Sequence, residues 1–149
     1  METLGMIFSD TLRGYYRYHH MIFSSFGLYR GQQWLFFTLK KEGFLTQNEL
    51  AKRMNIAAPT LTRMIHNLEK KGFIAREKDK ADRRKTIVRL TEEGNEVHGI
   101  ISEKLKAADD KIFHSFNKEE KEIFRKFLLR IQDQLHENMD AYRKGEPTR

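Results

Sequence analysis

The segment Leu45-Thr46-Gln47-Asn48-Glu49-Leu50 constrains this chain more than any other. The Thr46 hydroxyl stands where it can cap the amide of Glu49, Glu49 can reach back to Thr46, and Leu45 can pack on Leu50, so a helix starts here. That helix buries Leu50, Ala51 and Met54 and breaks at Asn55. Pro59 then suits a first helical position, and Leu61, Met64, Ile65 and Leu68 recur at intervals of three and four until Lys71-Gly72 closes a second helix. Two short helices joined by a turn of about four residues make a helix-turn-helix. Residues 73–77 and 86–90 then alternate as two strands around a charged tip at 78–85, which predicts a β-hairpin, or wing.

The flanks are helical. Leu4, Ile7, Phe8, Leu12, Tyr15, Ile22 and Phe26 mark one long amphipathic helix, and Gly27 and Gly31 bracket the break before a second, which Trp34, Leu35, Phe37, Thr38 and Leu39 open and Gly43 ends. Thr91, followed by Glu92 and Glu93, caps another helix whose stripe runs Val97, Ile100, Ile101, Leu105, Ala108, Ile112 and Phe116. Asn117 with Glu120 starts the last, with Ile123, Phe124, Phe127, Leu128, Ile131, Leu135 and Met139 inward, and residues 143–149 read as a frayed tail. The predicted fold is mainly α with a small β-hairpin (α+β), one domain over 1–149. A winged helix-turn-helix occupies 28–94, with a recognition helix at 59–71 and a wing at 73–91. Helices at 1–27 and 95–140 flank it. The small winged module cannot cover their apolar stripes, which cost roughly 25 cal/mol per Å² if left wet, so these are expected to be dimerisation helices of a homodimer.

Composition narrows the function. With 28 Lys+Arg against 21 Asp+Glu in 149 residues the formal charge is +7. Residues 46–91 carry twelve basic side chains and five acidic ones, equivalent to the whole excess, while residues 92–149 are slightly acidic. Charge concentrated in one stretch suits a surface that faces phosphates; acidic membrane surfaces are the second partner class. There are no cysteines, which removes thiol chemistry and Cys-type zinc sites. The six histidines fall in no ligand-like spacing, so neither a metal nor a cofactor is expected. No phosphate loop, nucleophile elbow or paired-carboxylate arrangement stands out from ordinary caps and surface charge, so the chain is not read as an enzyme. The start Met1-Glu2-Thr3-Leu4 lacks the pattern of a secretory signal, and no apolar run is long enough to span a bilayer, so a cytoplasmic protein is expected.

With Leu61, Ile65 and Leu68 buried, the recognition helix turns Pro59, Thr62, Arg63, His66, Asn67 and Lys70 outward, with Thr60 on the flank. Thr, Arg, His and Asn hydrogen-bond base edges or phosphates, and the first half of such a helix is the part that enters a major groove. On an arbitrary helix this would read as a solvated face; between a capped helix and a basic hairpin it reads as a DNA-reading face, with Gln47 at the start of the preceding helix. At the wing tip Asp82, Arg83, Arg84 and Lys85 are the candidates, since Arg suits the narrow, negative minor groove and a neighbouring carboxylate can hold it extended. The bland alternative there is a charged loop that blunts the hairpin's edges. Tyr15, His19, Trp34 and Phe37 are candidates for an aromatic effector pocket, although aromatics at helical spacing more often form core. A competing reading is a winged-helix interaction module whose basic face meets an acidic protein.

These features, in this order, resemble the MarR family of transcription regulators over almost the whole chain. The residues that carry the resemblance are Leu45-Thr46-Gln47-Asn48-Glu49-Leu50-Ala51-Lys52-Arg53, Ala58-Pro59-Thr60-Leu61-Thr62-Arg63-Met64-Ile65, Leu68-Glu69-Lys70-Lys71-Gly72-Phe73-Ile74, and Asp82-Arg83-Arg84 leading into Val88-Arg89-Leu90-Thr91-Glu92-Glu93-Gly94. The resemblance implies a homodimer with interlocked terminal helices and a fourth helix in the major groove. By position it implies Arg84 as the minor-groove residue, Asp82 as its anchor, and Thr60, Thr62 and Arg63 at the groove-facing start of the recognition helix. It also implies a cleft where some relatives bind small phenolic or lipophilic effectors. The chain departs from the family pattern at Leu28-Tyr29-Arg30-Gly31-Gln32, where many members have Leu-Thr, which leaves the cap of the second helix and the shape of that cleft open.

Overall fold

The computed structural model describes residues 1–29 and 31–145. Arg30, one of the basic residues of the first third, and tail residues 146–149 lie outside the described residues. The elements in chain order are α1 (Leu4–Ser25), α2 (Gln32–Glu42), β1 (Phe44–Thr46), α3 (Gln47–Met54), α4 (Ala58–Lys70), β2 (Ile74–Lys78), β3 (Thr86–Leu90), α5 (Glu92–Ile112) and α6 (Lys118–Arg143).

Most helix starts are where side-chain caps place them. Thr46 accepts from the Glu49 amide at 3.2 Å while the Glu49 carboxylate accepts from the Thr46 amide at 2.8 Å, and Asn117 and Glu120 repeat the arrangement before α6. The start of α2 is different. Its N-cap is Gly31 at φ 85°, with no side-chain cap; instead the amides of Tyr29 and Gly31 donate to the side-chain carbonyls of Gln32 (3.1 Å) and Gln33 (3.0 Å). Two glutamines inside the helix thus satisfy the amides ahead of it, and Gln32 is buried. At the other side of the module, the Thr91 hydroxyl donates to the Gly72 carbonyl at 2.5 Å and accepts from the Gly94 amide at 3.0 Å, tying the start of α5 to the turn before β2.

The strands form an antiparallel sheet in the order β1-β3-β2, with Leu45 opposite Val88 and Arg76 also opposite Val88 on the other side. The sequence pattern predicts only the two wing strands. The third, β1, is three residues long, too short to show alternation, and its one inward residue, Leu45, is the residue that also serves the helix start of α3. Two smaller differences concern helix ends: α4 begins one residue earlier than the proline suggests, and α5 ends at Ile112, leaving Phe116 in the turn.

By Cα proximity the chain divides into two compact units, Met1–Ala108 and Asp109–Arg149. In the first, Leu28, Leu35, Phe36, Leu39, Leu45, Leu50, Leu61, Ile65, Leu68, Val88 and Ile101 form one core, with Phe23 and Phe26 from the end of α1 packed against it. In the second, the rings of Phe113, Phe116 and Phe124 meet at centroid distances of 6.0–6.3 Å. Neither α1 nor α6 buries a single residue. Leu4, Ile7, Leu12 and Met21 on α1, and Ile123, Phe127, Leu128, Ile131, Leu135 and Met139 on α6, stand exposed.

Candidate nucleic-acid interface

The turn between α3 and α4 is set by Asn55, a residue type that tolerates the left-handed conformation it adopts here (φ 51°). Its amide donates to the Lys52 carbonyl at 3.2 Å, and the next amide, that of Ile56, donates to Ala51 at 3.2 Å, so α3 stops abruptly. Three residues later α4 is running, with Pro59 in its first turn, where a missing amide costs nothing. Leu61, Ile65 and Leu68 are sunk in the core and fix which side of α4 faces out. That side presents Pro59, Thr60, Thr62, Arg63, His66, Asn67 and Lys70, all exposed. The Thr62 hydroxyl donates back to the Ala58 carbonyl at 2.9 Å, which commits its proton and leaves its oxygen able to accept.

The wing brings its tip against the same face. Asp79 is bridged to Lys85 by a backbone bond of 3.1 Å, and inside that loop Asp82 gathers Arg84: its carboxylate accepts from the Arg84 amide at 3.1 Å and from the guanidinium at 3.1 and 3.4 Å. Those bonds hold the Asp82 carboxyl below the usual carboxylate range, the guanidinium first and the amide second. Arg84 nevertheless stays outside the fold, with its side chain 91% exposed and that of Asp82 only 29%. A groove of about 560 Å³ runs between α3, α4 and the wing, lined by Thr46, Gln47, Asn48, Glu49, Ala58, Leu61, Thr62, Arg84, Lys85 and Thr86. Four of the residues singled out from sequence, Gln47, Thr62, Arg84 and Lys85, therefore share one groove. Pro59, Thr60, Arg63, His66, Asn67 and Lys70 continue along the exposed side of α4, and Arg83 is exposed at the tip. Asn48 and Thr86 were not among them, because neither carries a charge or a periodic position that marks it.

The electrostatics follow from which cations are already paired. Glu69 takes Arg76 at 2.7 Å, Glu77 takes Arg89 at 3.1 Å across the strands, and Glu42 takes Arg53 at 2.9 Å. Among the described residues, Arg63, Lys70, Arg83 and Lys85 form no such ion pair. Much of the remaining positive charge of residues 46–91 thus lies along α4 and the wing tip. Glu49, in the groove wall, is kept ionised by the Thr46 hydroxyl and amide, with Lys85 and Arg53 adding smaller contributions.

A second concavity, of about 760 Å³, lies in the same unit between α1, α2 and α5. Tyr15, His19, Trp34 and Phe37, the four aromatic candidates, all line it, together with Tyr16, Phe23 and Leu105 and the polar groups of Arg17, His20 and Gln33. Its size falls within the range of roughly 300–1,000 Å³ typical of small-molecule sites. The Tyr15 and His19 rings lie 4.0 Å apart, and Phe23 meets Phe37 edge-on at 5.9 Å. Leu105 reads from sequence as a stripe position and Phe23 is not singled out there; only the packing of α1 and α5 shows that both border this space. Among the described residues, no group of three metal-binding side chains converges and no helix is long and apolar enough to cross a membrane.

Comparison with known proteins bears on the family and the fold. The family described as MarR family matches residues 28–86, the stretch from Leu28 to the start of β3. The uncharacterized HTH-type transcriptional regulator YwoH of Bacillus subtilis (strain 168) is 35% identical over 107 residues, covering 69% of this chain and 77% of that protein. A MarR family protein from Bacillus stearothermophilus superposes with a TM-score of 0.79 at 23% identity, covering 89% of this chain and 93% of that one. MepR, a transcription regulator of the Staphylococcus aureus multidrug efflux pump MepA, superposes with a TM-score of 0.78 at 21% identity, covering 89% and 98%. At such identities these two likenesses speak for the fold.

Proposed function

This chain belongs to the MarR family of helix-turn-helix transcription regulators, and on that premise we propose that it is a cytoplasmic homodimer that reads a pseudo-palindromic DNA duplex and represses by occluding polymerase. The observation that carries this reading is the groove in which the start of α3, the start of α4 and the wing converge, lined by Lys85 and by an Arg84 that Asp82 holds while leaving it 91% exposed, with Arg63, Lys70 and Arg83 unpaired on the adjoining faces among the described residues. Thr60, Thr62 and Arg63 enter the major groove, His66, Asn67 and Lys70 follow along the same helix face, Gln47 and Pro59 border the entry, and Arg84, flanked by Arg83 and Lys85 and held by Asp82, reaches the minor groove. The exposed apolar residues of α1 and α6 support the homodimer, because a stripe of that extent is stable in water only when covered.

The cavity lined by Tyr15, His19, Trp34 and Phe37 is proposed as the site of a small aromatic or lipophilic effector. Occupancy there changes the spacing of the two recognition helices, which need half-sites about 34–36 Å apart, and so relieves repression. Selecting bound duplexes from genomic fragments at moderate salt tests the reading. Recovery of one pseudo-palindrome with half-sites a helical turn apart supports it; uniformly weak, sequence-blind binding points instead to an acidic protein partner.

A further inference from the structure

Lys71 follows the last residue of the recognition helix and is the C-cap of α4. A lysine there ordinarily does one of two things: it complements the helix dipole by sitting on the helix's own last carbonyls, or it reaches a phosphate. Lys71 does neither in this fold. Its ammonium donates to the carbonyl of Gly27, forty-four positions away in the turn that ends α1, and stands 5.6 Å above the centre of the Tyr29 ring. Tyr29 is tied to the same turn by its hydroxyl, which donates to the Ser24 carbonyl at 3.2 Å, and its ring lies 6.2 Å from that of His20, in the cavity wall. The turn that offers the carbonyl is fixed by its own bonds: Gly27 sits at φ 70°, its amide donates to the Ser24 carbonyl at 2.9 Å, and the Leu28 amide donates to the Phe23 carbonyl at 3.0 Å.

We propose that Lys71 is a positioning residue for DNA reading, a strut that fastens the C-terminal end of the recognition helix to the end of α1 and, through Tyr29 and His20, to the wall of the aromatic cavity. The inference rests on the proposed reading of α4 as the recognition helix. A cation held by a carbonyl and an aromatic face is worth more than a solvated one because both partners act on a partly desolvated charge. Removing it leaves the phosphate contacts of α4 and the wing in place but loosens the angle at which the helix is presented, and base readout depends on that angle.

The test compares wild type with Lys71→Met, which keeps the aliphatic stem, on a selected operator and on an unrelated duplex across a salt series. A strut predicts operator affinity lower by about tenfold, unrelated-duplex affinity unchanged and the salt slope unchanged, with Lys71→Arg retaining most of the affinity. A fall on both duplexes with a slope reduced by about one would make Lys71 a phosphate contact and overturn the proposal, as would no change on either. His20→Leu should shift operator affinity in wild type and not in Lys71→Met; equal shifts, or none, overturn the link to the cavity wall. Should Lys71→Met fail to fold, Tyr29→Leu removes the aromatic half of the clamp and is held to the same outcomes. If wild type selects no duplex, it is the DNA-reading proposal itself that fails.

Discussion

Arg84 is gripped by Asp82 at 3.1 Å and yet points its guanidinium away from the fold, 91% exposed. A side chain pre-extended in this way gives up less rotamer freedom on entering a groove, so its loss should be felt in DNA affinity and not in folding. Arg84→Ala is expected to leave the melting temperature unchanged, weaken duplex binding and reduce the log–log salt slope by about one; an unaltered slope would count against a minor-groove role. Gly94 is constrained by packing. A Cβ there would stand 2.0 Å from the Phe73 carbonyl oxygen, whereas one at Gly99, also on α5, would meet nothing within 4 Å. Gly94→Ala should therefore cost ~1–3 kcal/mol or more through overpacking against backbone, and Gly99→Ala should be neutral or stabilising by up to ~1 kcal/mol. Thermal melts of the two variants check this, and equal behaviour would remove the close approach as the reason. That Gly94 must be glycine is not legible in the sequence, where it looks like an ordinary weak spot early in a helix. Its cause lies in a backbone oxygen 21 positions earlier.

α5 is fastened to α2 by more than apolar burial. His98 packs on Phe37 at a ring distance of 4.4 Å and on Phe36 at 5.8 Å, while Lys40 donates to Asn95 at 2.7 Å one turn before it. Burial, and secondarily the Lys40 charge, push the His98 pKa below its ordinary 6.5. The folded state thus binds this proton less readily than the unfolded state. Its contribution to stability is whole above about pH 6.5 and is lost as pH falls toward the lower folded value. His98→Phe keeps the ring and removes the titration, so the wild type should lose melting temperature relative to the variant between pH 7 and 5; parallel profiles would contradict the assignment. Asp82 and Glu49 shift in the same direction, but their losses fall near and below the carboxylate values, in a separate window. The capped helices were the readable elements, because Thr46 with Glu49 and Asn117 with Glu120 act over three residues, a spacing that any helix start imposes. The start of α2 was not readable. Gln32 and Gln33 serve amides ahead of them in the chain, which an ordinary N-cap rule does not anticipate.

The net charge of +7 acquires a direction once the fold is known. Arg53, Arg76 and Arg89 belong to the basic stretch 46–91, but each is occupied by a carboxylate, so most of the charge left outward there is that of α4 and the wing tip, with Lys52 on α3 and Lys78 on β2 beside it. In the proposed homodimer a second copy covers the apolar surfaces of α1 and α6. Replacing Leu135, exposed on α6, by Glu should shift the sedimenting species toward monomer and reduce operator affinity by loss of the second half-site. A variant that sediments as wild type would place the cover elsewhere. The side-chain-capped helix starts, the break at Asn55, the buried stripe of α4, and hence the side it turns outward could be read from spacing alone, since each is an interaction between residues a few positions apart. The pairing of β1 with β3, the fit of Gly94 against Phe73, the meeting of the Lys71 ammonium with Gly27, and the approach of Phe23 and Leu105 to the aromatic cavity could not. Each depends on where chain closure brings backbone and side-chain atoms that are distant in sequence, and no local period encodes that distance.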